Sequence, residues 1–565
     1  MGKLALKSLV MFVAAAAFAL TAAEKKEPMF SSTIDYLDYV FFDKLAAGKE
    51  YYPLEIYEQR IREMAEGGVK KIYLRVNVCG TTHYPSEVSA LYGEDGAFHW
   101  TFKDGALRLI ETYKHYDPVA ETIRLGKKYG MEVWAWESLF DDAGVRYNES
   151  DCPPEFIELY RRHDGWALLD PFYRDNMDAL AERDPRLIMP EDKVEELTRE
   201  ARKNPIGKIV FTNLDKGGAV PDFTGEDIDV LTSSDNINYR SVGQPFKFTT
   251  SVTPEGFNRF EISGLNITDP YVKIVGKKPF STNRFSFILK DARGQGEIFD
   301  INGRKVASVW TWHDAPAGRG ALNFANLTGS AAWDYGNRQI GFIVGELKPQ
   351  RYYLGVAEFN VPKAMKHKVD RFEELARYPF DGFMFNVRCH SRTANPEQYG
   401  FNPEVREKFL KRFGKDIYKD DFDLADLFQL RAEAIADFFV KCKELSDGRP
   451  IYLSGVKNPG TGQRAYYGEA FGPLPWLYKR YFADGSIDGV IMIGDDFADY
   501  FTDEITGGKP IKLGVFREMA HYPADRAKGA ADLRELKKRS DLDEVELYET
   551  LILTDNPEIY DIIKE

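Results

Sequence analysis

The chain has 565 residues, 14% of them aromatic, and a formal net charge of −14 at pH 7. That length exceeds one small core and suits a large barrel with an accessory domain, and the acidic balance argues against nucleic acid or another polyanion held by bulk charge. Cys79, Cys152, Cys389 and Cys442 are scattered without a CxxC pair, and zinc, calcium, P-loop and dinucleotide patterns are missing, so no metal and no cofactor are implied.

Lys3 and Lys7 precede an apolar run from Leu9 to Leu20, and Thr21, Ala22 and Ala23 follow. A positive start, a short hydrophobic segment and small residues predict a cleavable export signal over residues 1–23 and a secreted or periplasmic mature chain. The apolar run falls short of the ~20 residues that span a bilayer, so no stable membrane insertion is expected after the leader is removed.

Short apolar strands then alternate with amphipathic helical text, the signature of a parallel β/α fold. The first strand is expected at Asp38–Asp43, the second at Lys71–Val78 and the third at Glu132–Leu139, with helices over Leu54–Glu66 and Pro118–Lys128 between them. These make a first barrel part over residues 24–144. Residues 145–205 form an irregular, partly helical excursion. Residues 206–332 change to all-β text, with strands at Pro245–Val252, Arg259–Ile262, Tyr271–Val275, Phe285–Leu289 and Lys305–Trp312 that suggest an inserted sandwich or jelly roll. The β/α rhythm returns over residues 333–565, with strands at Tyr352–Phe359, Gly382–His390, Ile451–Val456, Gly489–Asp495 and Ile511–Glu518, followed by a charged helical tail. The count predicts a (β/α)8 barrel with an inserted all-β domain after the third strand.

In such barrels chemistry gathers where strands end, and the expected ends here are polar. Strand two carries Arg75 and Asn77 on the face of Tyr73, and strand three ends in Trp136 and Glu137. Glu358 closes an otherwise apolar strand four. Asn386, Arg388 and His390 share a face of strand five. Asp495 ends strand seven, and Arg517 and Glu518 end strand eight. Charge inside an apolar strand is costly unless it is paired or used. The expected catalytic carboxylates are Glu358 as general acid, with Glu137 or Asp495 as nucleophile or base; Arg75, Asn77, Trp136, Asn386, Arg388, His390 and Arg517 would line sugar subsites.

Strand two with its helix, the segment GMEVWAWESLFDD, the run DGFMFNVRCHS followed by EQYGFNPEVREKFLKRFGKDI, and WDYGNRQI at Trp333–Ile340 resemble the family-10-like bacterial glycosyl hydrolases. The likeness covers roughly residues 34–142 and 333–520 and implies an exported (β/α)8 glycosidase. Two positions depart from the pattern. Asn386 stands where many relatives carry Asp, and Ala357-Glu358 replaces the Asn-Glu pair of the larger retaining-glycosidase clan.

The expected function is an exported glycoside hydrolase cleaving a polysaccharide or oligosaccharide by paired-carboxylate acid/base catalysis. A non-catalytic carbohydrate-binding barrel is the alternative from another class, and a polysaccharide lyase a more distant one. Carbohydrate is the expected partner.

Overall fold

The structure, a computed structural model, describes residues 27–94, 102–143, 168–187, 202–212, 224–233, 240–276, 296–305, 339–343, 351–387, 399–457, 474–494, 498–519 and 522–565, apart from a few positions within these spans. The expected leader, residues 1–23, lies outside them.

Eight strands close a barrel: β1 (Met29–Ile34), β2 (Lys71–Arg75), β3 (Glu132–Ser138), β4 (Gly382–Asn386), β5 (Ile451–Lys457), β6 (Gly489–Ile493), β7 (Lys512–Glu518) and β8 (Glu544–Tyr548). All neighbours run parallel, and β1 closes the ring by pairing with both β2 and β8. Helices follow the strands, among them α1 (Leu54–Glu66), α2 (Pro118–Lys128), α3 (Pro362–Ala376), α4 (Leu424–Leu445), α5 (Leu474–Asp484) and α6 (Arg526–Lys537). The α2 start is written in its sequence. Asp117 accepts from the Val119 and Ala120 amides at 2.8 and 3.1 Å, Pro118 fills the first turn, and Lys127 and Lys128 close the last.

Alternation along each strand sends one face to the helices and the other into the barrel. Outward residues such as Ile72, Leu74, Val133, Phe383, Val490, Val515 and Val545 join the large core beneath the helices. Inward residues Tyr73, Trp134, Trp136, Met384, Tyr452, Ile491 and Phe516 form a separate aromatic plug. Gly382 makes room for it, since a Cβ there would fall 2.7 Å from the Trp134 ring. The rest of the interior is polar. Lys71 pairs with Glu544 at 2.7 Å and lies 4.1 Å from the Trp134 ring centre, and Thr33 donates to Glu546 at 2.6 Å.

The barrel stands as expected, with three elements reassigned. The first strand is Met29–Ile34; Tyr36–Phe42, where the strand was expected, is a short helix started by Asp35. Tyr352–Ala357 is a strand but lies outside the barrel, pairing antiparallel with Leu180–Glu182. The fourth barrel strand is therefore Gly382–Asn386, and each later strand moves up one place. The eighth is Glu544–Tyr548, within text expected to be helical. As strands three and four of a (β/α)8 barrel, the segments ending at Glu137 and Glu358 would be parallel neighbours; instead β3 is flanked by β2 and β4.

The long excursion between β3 and β4 carries two four-stranded antiparallel sheets. One orders Lys247–Val252, Asn258–Ile267, Ile206–Thr212 and Gly296–Asp300; the other orders Gln339–Ile343, Tyr271–Gly276, Ile228–Ser233 and Arg240–Ser241. Of the expected strands there, Phe285–Leu289 and nearly all of Lys305–Trp312 lie outside the described residues.

Candidate active site at the barrel mouth

The C-terminal ends of β1, β2, β3 and β8 bring a charged cluster together. Arg75, the last residue of β2, faces inward and is buried. Its guanidinium donates to Asp35 at 2.5 Å, to Asp141 at 2.6 Å and to the Asn77 carbonyl at 3.0 Å. Burial alone would lower its proton affinity, but Asp35 and Asp141 outweigh that and hold it charged. Asp35 follows β1 directly, and Asp141 lies in the turn after β3.

One helical turn beyond Asp35, the Asp38 side chain hydrogen-bonds the carboxyl of Glu549, the residue after β8. Both are half-buried. Burial raises the proton affinity of both groups, and the charge of Asp35 adds to it. Asp38 is raised well above the ordinary carboxylate range, with the Glu549 charge as the second cause; Arg75 pulls both back by less. Two touching carboxyls resist joint ionisation, and their hydrogen bond favours one proton held between a carboxylic acid and a carboxylate.

Aromatic groups border the pair. Tyr548 ends β8 facing inward and meets Trp136 edge-on at 5.8 Å between ring centres, and the Arg75 guanidinium lies 5.6 Å from the Trp136 ring centre. Glu518 ends β7 two residues beyond the inward-facing Phe516, so it is on the mouth face, and it is exposed. It is register partner to Tyr548.

The expected site residues divide. Arg75 and Trp136 are in the cluster, and Asn386 ends β4 buried on its inward face. Asn77 instead braces two strand ends: its side chain accepts from the Ser138 amide at 2.7 Å and donates to the Ser138 carbonyl at 3.0 Å. Arg517 points to the helix layer and pairs with Asp532 of α6 at 2.8 Å. Glu137 also points outward, because the inward positions of β3 belong to Trp134 and Trp136. It takes two bonds from Arg371 of α3, at 2.8 and 2.5 Å. Glu358, 2% exposed, lies beyond the antiparallel strand and is held by Arg431 of α4 at 2.8 Å and by the Asn360 side chain at 2.9 Å. Arg388, His390 and Asp495 lie outside the described residues.

A second ionic cluster fixes the excursion to the barrel. Lys368 and Arg371 both bond Asp142, at 2.7 and 3.0 Å, and His367 meets Asp170 at 3.0 Å, which also accepts from Ser89 at 2.9 Å. Burial and the neighbouring Arg371 lower the Lys368 proton affinity, against the pull of Asp142. Every member is buried, so this cluster is a brace and Glu137 belongs to it. Among the described residues, no group of three or more His, Cys, Asp or Glu is placed to hold a metal ion. No helix among them is long and apolar enough to cross a membrane, and Cys79 and Cys442 are both buried.

Asp35, Asp38, Tyr548 and Glu549 were missed by the sequence argument. The signal was an inverted alternation. In Glu544, Glu546 and Tyr548 the polar residues repeat every second position while Val545 and Leu547 between them face the helices, and Thr33 and Asp35 flank Ile34 in the same way.

No protein-family model matches the chain, and no curated protein does. Among solved structures, the catalytic domain of a beta-amylase from Paenibacillus polymyxa aligns over 93% of each chain at 8% identity, with a TM-score of 0.38. Two structures of old yellow enzymes align over smaller parts at 14% identity. One, TcOYE with pHBA, covers 38% of this chain and 54% of its own with a TM-score of 0.22; the other, from Trypanosoma cruzi, covers 39% and 57% with a TM-score of 0.20.

Proposed function

We propose that the chain is a glycoside hydrolase whose acid catalyst is the proton-sharing pair Asp38 and Glu549. The observation that carries this reading is the contact between those two carboxyls at the open end of the barrel, where burial and their mutual proximity favour the protonated form. Glycosidic cleavage needs an acid to protonate the leaving oxygen and a second carboxylate to meet the cationic sugar directly or through water. The touching pair supplies only the first, since a sugar cannot sit between groups in contact. Glu518 is the choice for the second. It starts from the strand beside β8, about 5 Å across, level with Tyr548 and one residue short of Glu549.

The resemblance to family-10-like bacterial glycosyl hydrolases supports the same reaction class with different residues in the roles. Glu358 and Glu137 become structural, and export on the leader with Lys3, Lys7 and the Leu9–Leu20 run is part of the proposal.

The test is release of new reducing ends from a glycan panel by the wild type, Asp38→Asn, Glu549→Gln and Glu518→Gln. Each variant should lose at least ~100-fold, because acid–base help supplies ~10²–10⁴-fold. Wild-type rates in Asp38→Asn and Glu549→Gln would remove the pair from the mechanism. One observation favours a second reading, a barrel that binds glycan without cleaving it: two of the three acids expected to be catalytic, Glu137 and Glu358, are locked to buried arginines. Glycan binding by the wild type with no new reducing ends would select that reading.

A further inference from the structure

We infer that the floor of the barrel mouth is a sugar subsite built for uncharged or amino-bearing rings and against carboxylated ones. This deepens the carbohydrate reading above and rests on it. Trp136 and Asp35 are both buried, 5% and 2% exposed as whole residues. The Trp136 Nε1 and Asp35 Oδ1 atoms have no hydrogen-bond partner among the described residues. Both flank Arg75, which lies 5.6 Å from the Trp136 ring centre and bonds the other Asp35 oxygen at 2.5 Å.

A buried polar atom is normally satisfied, so beside Arg75 one donor and one acceptor are left to be answered by a bound group. A sugar hydroxyl accepts from the indole and gives its own proton to Asp35. An ammonium substituent can also donate to Asp35. A carboxylate offers acceptors only and leaves Asp35 unanswered.

Charge points the same way. Around the interior and mouth, Asp35, Asp38, Asp141, Glu518, Glu544, Glu546 and Glu549 outnumber the cations Lys71 and Arg75 among the described residues. Lys71 is committed to Glu544, and Arg75 to Asp35 and Asp141. With one proton shared by Asp38 and Glu549, the lining stays negative, and an anionic ring meets repulsion there. Like charges brought together in a partly dry site weaken binding on the order of 100-fold.

Calorimetry with the full chain and three oligosaccharides that differ only in one ring substituent tests this: neutral hexose, amino sugar and uronate. The uronate ligand should bind about 100-fold more weakly than the neutral one. Trp136→Phe should weaken the neutral ligand about 10-fold while circular dichroism stays native. Asp35→Asn should narrow the gap between uronate and neutral ligands and erase any preference for the amino sugar. Uronate binding as tight as neutral, or unchanged affinity in Trp136→Phe, would overturn the subsite while leaving the hydrolase reading intact. If none of the three ligands binds, both fall. If the selectivity holds but no ligand is cleaved, the hydrolase reading alone fails.

Discussion

Replacing Glu549 by Gln should stabilise the protein at alkaline pH and leave it unchanged at acid pH. Asp38 and Glu549 both bind protons more tightly in the folded chain than in the unfolded one. Below the unfolded carboxylate range both states carry those protons, and the folded pair contributes fully. As pH rises through the raised folded values, the shared proton leaves and that contribution is lost. Two carboxylates about 4 Å apart repel by about 4 kcal/mol at an effective dielectric of 20 and about 1 kcal/mol in water. The pair is half-buried, so solvent screening puts the relief in Glu549→Gln at about 1–3 kcal/mol. The assay is the melting temperature of wild type and variant from pH 4 to 9. The difference should start near zero and grow to a few degrees in favour of the variant, even though the variant is expected to lose activity. A difference that stays flat with pH, or that turns toward the wild type as pH rises, would refute the shared proton.

The barrel was legible because its outward faces and helices follow the ordinary rules. Ile72 and Leu74 in β2, or Phe383 and Phe385 in β4, are apolar runs bounded by helical text with clear caps such as Asp117 and Pro118. Two strands were hidden by a single physical cause. The interior beside β1 and β8 is polar: Ser31 and Thr33 are register partners of Lys71, Tyr73 and Glu546, and Asp35 pairs with Arg75. Sequence reasoning that assigns apolar residues to strand interiors discards such segments. It chose Asp38–Asp43 and Tyr352–Phe359 in their place, because both runs are apolar. That choice put Glu358 at a barrel strand end, where it would be catalytic. Its real neighbour, Arg431, is 73 residues away in sequence, and no local spacing announces the pair. Glu137 was placed on the right strand and read on the wrong face. Trp134, Trp136 and Glu137 compete for two directions, and the bulky rings take the interior.

Three further outcomes follow from the bracing contacts. Glu358→Ala leaves the Arg431 guanidinium buried without its partner and should cost about 3–5 kcal/mol in denaturant unfolding, while activity per folded molecule is retained; loss of activity without loss of stability would return Glu358 to the mechanism. Arg517→Ala removes an ion pair whose acid is half-exposed and should change stability by less than about 1 kcal/mol, with glycan affinity unchanged by titration. Gly400→Ala should act through the Glu358 pair. The Gly400 φ is +101°, and a Cβ there would fall 2.3 Å from the Arg431 guanidinium carbon. The Gly400 amide is tied to the Glu182 carbonyl at 2.8 Å, so the backbone has little room to retreat, and the arginine must move. Moving it also strips the bond from Arg431 to the Tyr399 carbonyl at 2.9 Å. The expected cost is therefore about 3–5 kcal/mol, the range for breaking a buried pair, with about 1–2 kcal/mol of it the intrinsic penalty of a side chain at positive φ. In Glu358→Ala the pair is already gone, so adding Gly400→Ala should cost only that backbone penalty and the bond to Tyr399. The double mutant should fall short of the sum of the singles by about 1–3 kcal/mol, the usual range for residues in one network. Additive losses would mean that Gly400 acts through its own backbone alone and that its contact with Arg431 carries no energy.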